Sequence, residues 1–355
     1  MLVVFAAKSL VIAGVTLVLL RVMHTRSAVD RSWIAHLGLA ALAALPLGSL
    51  LFPPLEVASP YALVLSPTPL AAGAQIAQSD WTQTAAFWLV LAYAVPAILL
   101  IARMLLAMLR LVLLTTRAQR MTDDHWLSAL TRAQRQKGLP TNTALLVSGE
   151  ISSPISWGLQ KPRILLGTES EARRGDADAI LVHELSHVAQ ADWLKLMLAR
   201  ISVALFWFNP LVWRLAREAH QLREEAADDA VLAANIEATT YASVLVNVAR
   251  HQSDSRLLGA HGVAPAGSSL ARRVRRVLDR GSNRSAGGIR WAAGMAGGAA
   301  VLTAPLMTLQ LTDKALVSSD AAPSSPDEDA GVVVFELRTP ASVPDAVPAK
   351  IENTQ

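Results

Sequence analysis

The residues His183-Glu184-Leu185-Ser186-His187 form a HExxH pattern inside a helix-like run. On a helix, positions i and i+4 stack on one face, so His183 and His187 can aim imidazole nitrogens at one metal ion. Glu184 lies beside them, close to the water such an ion would carry. The chemistry this suits is zinc-assisted hydrolysis. Zinc with an open position lowers the pKa of bound water from ~15.7 to about 7, and a neighbouring carboxylate takes the proton as a carbonyl carbon is attacked. Peptide hydrolysis is the leading expectation, set against a chance match in a helix whose two histidines only cover a surface.

Catalytic zinc usually has three protein ligands, and the stretch 223–232, REEAADDAVL, offers candidates for the third. Glu224 and Asp228 again stand at i and i+4. Glu224 could ligate while Asp228 orients a histidine by accepting its second ring N–H, which fixes the tautomer and raises the basicity of the ring. Glu225 competes for the ligand role, and a solvated helix face would account for all of these acids without a metal. Asp192, five residues past His187, is either another acid behind a histidine or a surface charge. His220 and Tyr241 are candidates for stabilising an oxyanion.

These residues need elements to hold them. The spacing predicts a helix over 177–191 carrying the motif, with Asp176 as its N-terminal cap. Upstream, 144–147 reads as a short strand, 153–158 as a turn and 162–167 as an edge strand. The segment Pro154, Ile155, Ser156 and Trp157 could hold substrate backbone by β-augmentation, or could simply close a small sheet.

Composition says where such a site sits. Hydrophobic residues make up 52% of the chain and charged residues 17%, with a mean hydropathy of +0.36. This is the composition of a membrane protein. Segments 2–23, 33–52, 85–114 and 289–311 approach the ~20 apolar residues that span a bilayer core. The third is over-long, with Arg103 and Arg110 in its distal part, so it is expected to leave the bilayer as a helix. The apolar stretch 194–215 would, if it crossed, put His187 and Glu224 on opposite sides. It contains Arg200, Asn209, Pro210 and Arg214 and fits a helix-turn-helix in the core or at the interface.

Arginines 21, 26 and 31 follow the first segment, whereas 53–84 holds no lysine or arginine. Arg117, Arg120, Arg132, Arg135 and Lys137 follow the third, and Arg272, Arg273, Arg275, Arg276, Arg280, Arg284 and Arg290 lead into the fourth. The positive-inside rule then puts the N-terminus outside, the central region in the cytoplasm and the tail outside. Such arginines also attract anionic membrane lipid and account for a pI near 9.7. No aromatic interleaving of the kind found in nucleic-acid grooves accompanies them, so no direct nucleic-acid partner is expected. The chain has no cysteine, which excludes disulfides and thiolate-bound zinc. No pair of segments shows the inverted symmetry of a transporter.

The expected architecture is a mainly α membrane protein with four transmembrane helices and an α+β zinc peptidase domain between the third and fourth. Its parts are a three-helix region over 1–114, a cytoplasmic domain over 115–288, a fourth helix over 289–311 and an extracytoplasmic acidic tail over 312–355. The tail, with Asp327-Glu328-Asp329, is expected to be disordered, a short strand at 332–337 forming if a partner binds.

The runs HELSHVAQADWLK, FWFNPLVWRLAREAHQLREEAADDAVL and SSPISWGLQKPRILLG, with the three-helix N-terminal region, resemble the BlaR/MecR-type antirepressor metallopeptidases over roughly 1–311. The resemblance implies a gluzincin-like integral membrane peptidase with one Zn2+ per chain. His183, His187 and Glu224 would be its ligands, Glu184 the general base, and Asp228 the acid of the family's Glu-x-x-Cys-Asp element. Ala227 stands at the cysteine position, which removes no ligand. By the same resemblance the protein lies in the bacterial inner membrane. There it would cleave a cytoplasmic repressor, of winged-helix type, or itself, and so relay an envelope signal to transcription. The sensing members carry a large penicillin-binding domain, whereas residues 312–355 hold no Ser-x-x-Lys; an extracytoplasmic partner meeting the tail would serve instead. Two alternatives are a housekeeping membrane protease of the Ste-twenty-four/HtpX type and a transducer whose zinc domain binds without cutting. Loss of catalysis with metal retained in Glu184→Gln separates the classes.

Overall fold

In the computed structural model the described residues are 2–51, 55–58, 80–252 and 266–312, so the expected strand at 332–337 and most of the tail lie outside them. Apolar runs form α1 (Leu2–Val22) and α2 (Ala28–Leu51), and a short strand, β1 (Leu55–Ala58), follows. The helix α3 (Asp80–Arg117) has 38 residues, about 57 Å at 1.5 Å per residue, so it outruns a ~30 Å bilayer core as expected. It delivers the chain to β2 (Gln119–Arg120), α4 (Asp124–Lys137), β3 (Ala144–Ser148), β4 (Ile155–Trp157), β5 (Arg163–Gly167) and α5 (Thr168–Ala172). Then come α6 (Ala177–Ala189), α7 (Asp192–Leu205), α8 (Pro210–Leu232), α9 (Ala238–Gln252), α10 (Ala266–Leu278), α11 (Gly288–Thr308) and β6 (Leu309–Thr312). The described residues are thus mostly helical, and among them two helical stretches, 4–22 and 84–117, are long and apolar enough to cross a membrane.

The larger sheet has the order β2-β3-β5-β4, with β3 parallel to β5 and β4 antiparallel to it. The strand over 163–167 is therefore interior, not the edge its sequence suggested. Ile164, Leu165 and Leu166 are wholly buried, the unbroken apolar run of a strand covered on both faces. The edges fall to the two-residue β2 and to β4, with Pro154 just before β4. Asp176 stands at the N-terminus of α6 but makes no capping bond, because a 3-10 turn, Arg174–Asp176, leads into the helix.

Two apolar clusters divide the molecule. One joins α4, β3, β5, α6, α9 and the end of α8 around Trp126, Leu181, Leu185 and Tyr241. The other packs Ile34, Leu39, Leu42 and Leu45 of α2 with residues of α1 against Val203 and Phe206 near the α7–α8 turn and Val212, Leu215 and Leu222 of α8. The stretch 194–215 is a helical hairpin, as the sequence suggested. Pro210 opens α8, where proline's missing N–H costs nothing. Asn209 accepts from Leu211 N as the cap and donates to Ser9 Oγ of α1 at 2.9 Å.

Helices α1 and α2 touch at Gly38, where an added Cβ would run into Thr16 Oγ1 and lie 2.6 Å from its Cγ2. Small residues let helices approach this closely in lipid. Gly38→Ala should lower stability by about 1–3 kcal/mol through overpacking, and Thr16→Ala should recover part of the loss; thermal unfolding of the four proteins in one detergent measures both effects.

At the other end of α2, Arg31 lies 3.4 Å from Glu218 of α8, which Arg272 of α10 also grips through two bonds of 2.9 Å. Burial opposes ionisation of Glu218, but Arg272 and Arg31 outweigh it and hold the carboxyl below its usual value of 4.5. A depressed carboxyl stabilises the fold above its unfolded pKa and ceases to do so as pH falls through the lowered one. The wild type should lose stability progressively below about pH 4.5 relative to Glu218→Gln, which denaturant midpoints along a pH series would reveal.

Candidate metal centre

Helix α6 presents His183 and His187 one turn apart, and α8 crosses beneath it with Glu224. One nitrogen from each imidazole and one Glu224 oxygen lie within 4.8 Å of one another. His183 Nε2 is 3.3 Å from His187 Nε2, and Glu224 places Oε2 3.7 Å from the first and Oε1 3.8 Å from the second. The three side chains are 12, 13 and 18% exposed, so the cluster is walled yet reachable.

The distal ring nitrogens explain this aim. Tyr241 donates its hydroxyl proton to Asp228 Oδ1 at 2.7 Å and lies 2.9 Å from His183 Nδ1, which therefore donates to it. Asp228 Oδ1 is itself 3.3 Å from that Nδ1. His187 Nδ1 donates to Asp192 Oδ2 at 2.7 Å. With both Nδ1–H groups engaged, neutral rings turn bare Nε2 lone pairs toward one point. Converging there, the two nitrogens and the carboxylate need a cation between them, either a proton on one ring or a metal ion, and donors of these types fit a divalent metal. Nitrogen and carboxylate donors in this number suit zinc.

The charges agree. Burial opposes ionisation of Glu224, but His187, His183 and Arg273 hold its carboxyl well below 4.5, in the form that ligates. Burial also disfavours a charged His183, yet the Asp228 and Glu224 carboxylates win and push it up to about 9, so a metal must displace a proton there. Burial holds His220 down to about 4. Arg223 Nη2 donates to its Nδ1 at 2.9 Å, which leaves Nε2 as the protonated, donating nitrogen.

The structure brings His183, His187, Glu224, Asp192 and Asp228 together, with Glu184 beside them on α6 and 7% exposed. Glu225 points elsewhere: it is held by Arg272 at 2.5 Å and accepts from Gln221 at 3.1 Å. Tyr241 is engaged behind His183, on its Nδ1 side, so of the two oxyanion candidates only His220 keeps a free donor. Edge strand β4, carrying Ile155, Ser156 and Trp157, packs against α6.

Three cations were missed. Arg273 of α10 donates to both Asp228 oxygens at 2.7 and 2.8 Å and lies 3.2 Å from Glu224 Oε2. Arg223 lies 3.5 Å from Glu224 Oε1, and Lys195 donates to Asp192 Oδ1 at 2.9 Å. The arginines read as topology signals are in part partners of α8: besides Arg272 and Arg273, Arg276 donates to Asp229 at 2.8 Å. The signal was present, because RR-x-x-R at 272–276 mirrors EE-x-x-DD at 224–229.

The profile of the family described as BlaR1 peptidase M56 matches residues 5–277. Over 83 residues the chain is 37% identical to "Regulatory protein BlaR1" of Bacillus licheniformis, a match covering 23% of this chain and 14% of that protein.

Asp228→Asn and Asp192→Asn should each weaken divalent-metal binding about 10–100-fold, because each removes the charged acceptor that orients a histidine. Competition with a chromophoric chelator would measure this, and unchanged affinity in both would refute the arrangement.

Proposed function

This chain belongs to the BlaR1 peptidase M56 family, and we propose that it is a membrane-embedded zinc metalloendopeptidase of regulatory type. The observation that carries this reading is the convergence of His183, His187 and Glu224 within 4.8 Å, each histidine fixed from behind by an acid. These three would hold the zinc. When bound, zinc supplies Lewis-acid polarisation of the scissile carbonyl and acidifies water. Glu184 takes the proton from the attacking water; as the C–N bond breaks, the same carboxyl returns a proton to the leaving amine. Asp228, Tyr241 and Arg273 keep His183 oriented, and Asp192 does so for His187. His220 Nε2–H is the donor available to a developing oxyanion. Substrate backbone extends the sheet along Pro154, Ile155, Ser156 and Trp157, β4 being an edge strand.

The proposed organisation is a transmembrane region over 1–114, a cytoplasmic peptidase domain over 115–288, a fourth transmembrane helix that ends at Thr308, short of the expected 311 because Leu309–Thr312 form β6, and an extracytoplasmic tail beyond it. It lies in the bacterial inner membrane with the N-terminus outside. Besides the arginine distribution, strand pairing supports this: β1, just after α2, runs parallel to β6, just after α11, in register from Leu55 with Leu309 to Ala58 with Thr312. Two helices that leave the membrane on the same side in the same direction would produce this. The substrate is a cytoplasmic transcriptional repressor or the chain itself, cleaved in response to an envelope signal.

The test is the metal content of the detergent-purified full chain beside cleavage of a co-expressed candidate repressor. We expect about one zinc per chain in the wild type. Glu184→Gln should keep the metal and lose cleavage, whereas His187→Ala and Glu224→Ala should lose both. Signalling that survives Glu184→Gln would instead make the chain a transducer that does not cut.

A further inference from the structure

Asp192 is 2% exposed, so its carboxylate needs positive partners to be tolerated. One oxygen accepts from His187 Nδ1 at 2.7 Å and the other from Lys195 Nζ at 2.9 Å. Arg223 donates to the Asp192 main-chain oxygen at 3.3 Å, while its Nε stands off at 3.8 Å from the carboxylate. Lys195 is therefore the side chain that fixes the second oxygen. An ammonium on a four-carbon stem is a flexible anchor unless something holds its head. Here that support comes from another part of the chain: Lys195 Nζ sits 5.3 Å from the ring centroid of Trp33, on α2. Trp33 is 42% exposed, so its ring is not present as core filling.

The α7 face that carries Lys195 also carries Ser202, seven residues on. Ser202 donates to the main-chain oxygen of Leu39, again on α2, at 2.9 Å. The backbone at Ala191 adopts a left-handed turn, φ 52°, which brings Asp192 back toward His187 at the start of α7. A continuous row of contacts thus runs from α2 through the Trp33 ring, the Lys195 ammonium and the Asp192 carboxylate to His187.

We propose that Lys195 is a positioning residue for His187 and that Trp33 is its seat, so that the placement of α2 sets how tightly the site holds its metal. This rests on the metal reading of the site. A shift or rotation of α2 moves the ring away from the ammonium, frees one oxygen of Asp192 and loosens the imidazole. The membrane region thereby reaches the metal site without a residue of its own in it.

The test measures the zinc dissociation constant of the full chain in detergent by competition with a chromophoric chelator. Lys195→Met should raise it about 10–100-fold, as loss of an outer partner does. Trp33→Leu should raise it several-fold, whereas Trp33→Phe and Lys195→Arg, which keep a ring and a cation, should stay near the wild type. The double variant Trp33→Leu with Lys195→Met should match Lys195→Met alone, because the ring acts through the ammonium. Unchanged affinity in Lys195→Met or additive losses in the double variant would each overturn the proposal while leaving the zinc reading intact. A wild type that binds no zinc would overturn both.

Discussion

The structure depends on neutralising the acidic side of α8. Glu218, Glu224, Glu225, Asp228 and Asp229 lie along one helix and are buried or nearly so. Isolated carboxylates taken out of water cost several kcal/mol each. Arg31 arrives from α2, Arg223 from α8 itself, and Arg272, Arg273 and Arg276 from α10, with Arg284 beyond it. Only Glu224 and Asp228 meet the histidines. The remaining pairs fix where α10 and α2 dock, so the charge balance that permits a ligand in α8 also assembles the surrounding helices.

Much of the site was legible because helical spacing alone forces neighbours together. His183 with His187, and Glu224 with Asp228, could hardly avoid sharing faces, and the acid behind each histidine follows from the second nitrogen of every imidazole. The cations were less legible, because an arginine that sets topology and one that neutralises a buried acid look alike until the partner helix is placed. Lys195 gave no local sign, since its reason is a ring about 160 residues earlier. The fold was read well where periodicity or length dominates, as in the over-long α3 and the 194–215 hairpin. It was misread at 162–167, because a run of Ile-Leu-Leu does not say which neighbours will cover it.

The proposed division into a membrane region and a peptidase region is less sharp than the linear order suggests. Helices α7 and α8 begin or end at the metal cluster but bury their apolar faces against α1 and α2. The hairpin turn is tied to α1 through Asn209 and to α3 through Tyr93, whose hydroxyl donates to Leu205 O at 2.7 Å and whose carbonyl accepts from Trp207 Nε1 at 3.1 Å. The elements of the candidate site are thus tied to α1 and α3, which among the described residues are the two long and apolar enough to cross a membrane.

Helix α8 serves two cores at once. Val212, Leu215, Ala219 and Leu222 face α1 and α2, while Glu224, Asp228 and Val231 face the metal cluster and the peptidase core. Both faces are fixed to one winding of 3.6 residues per turn, so inserting or deleting one residue between them would rotate everything beyond it by about 100°. Either the apolar face or the ligand would then point into the wrong neighbour. The length of this helix between residues 212 and 231 is therefore phase-locked: a change in length keeps both faces aligned only in steps of about seven residues, two full turns, and then only if both partners shift to match.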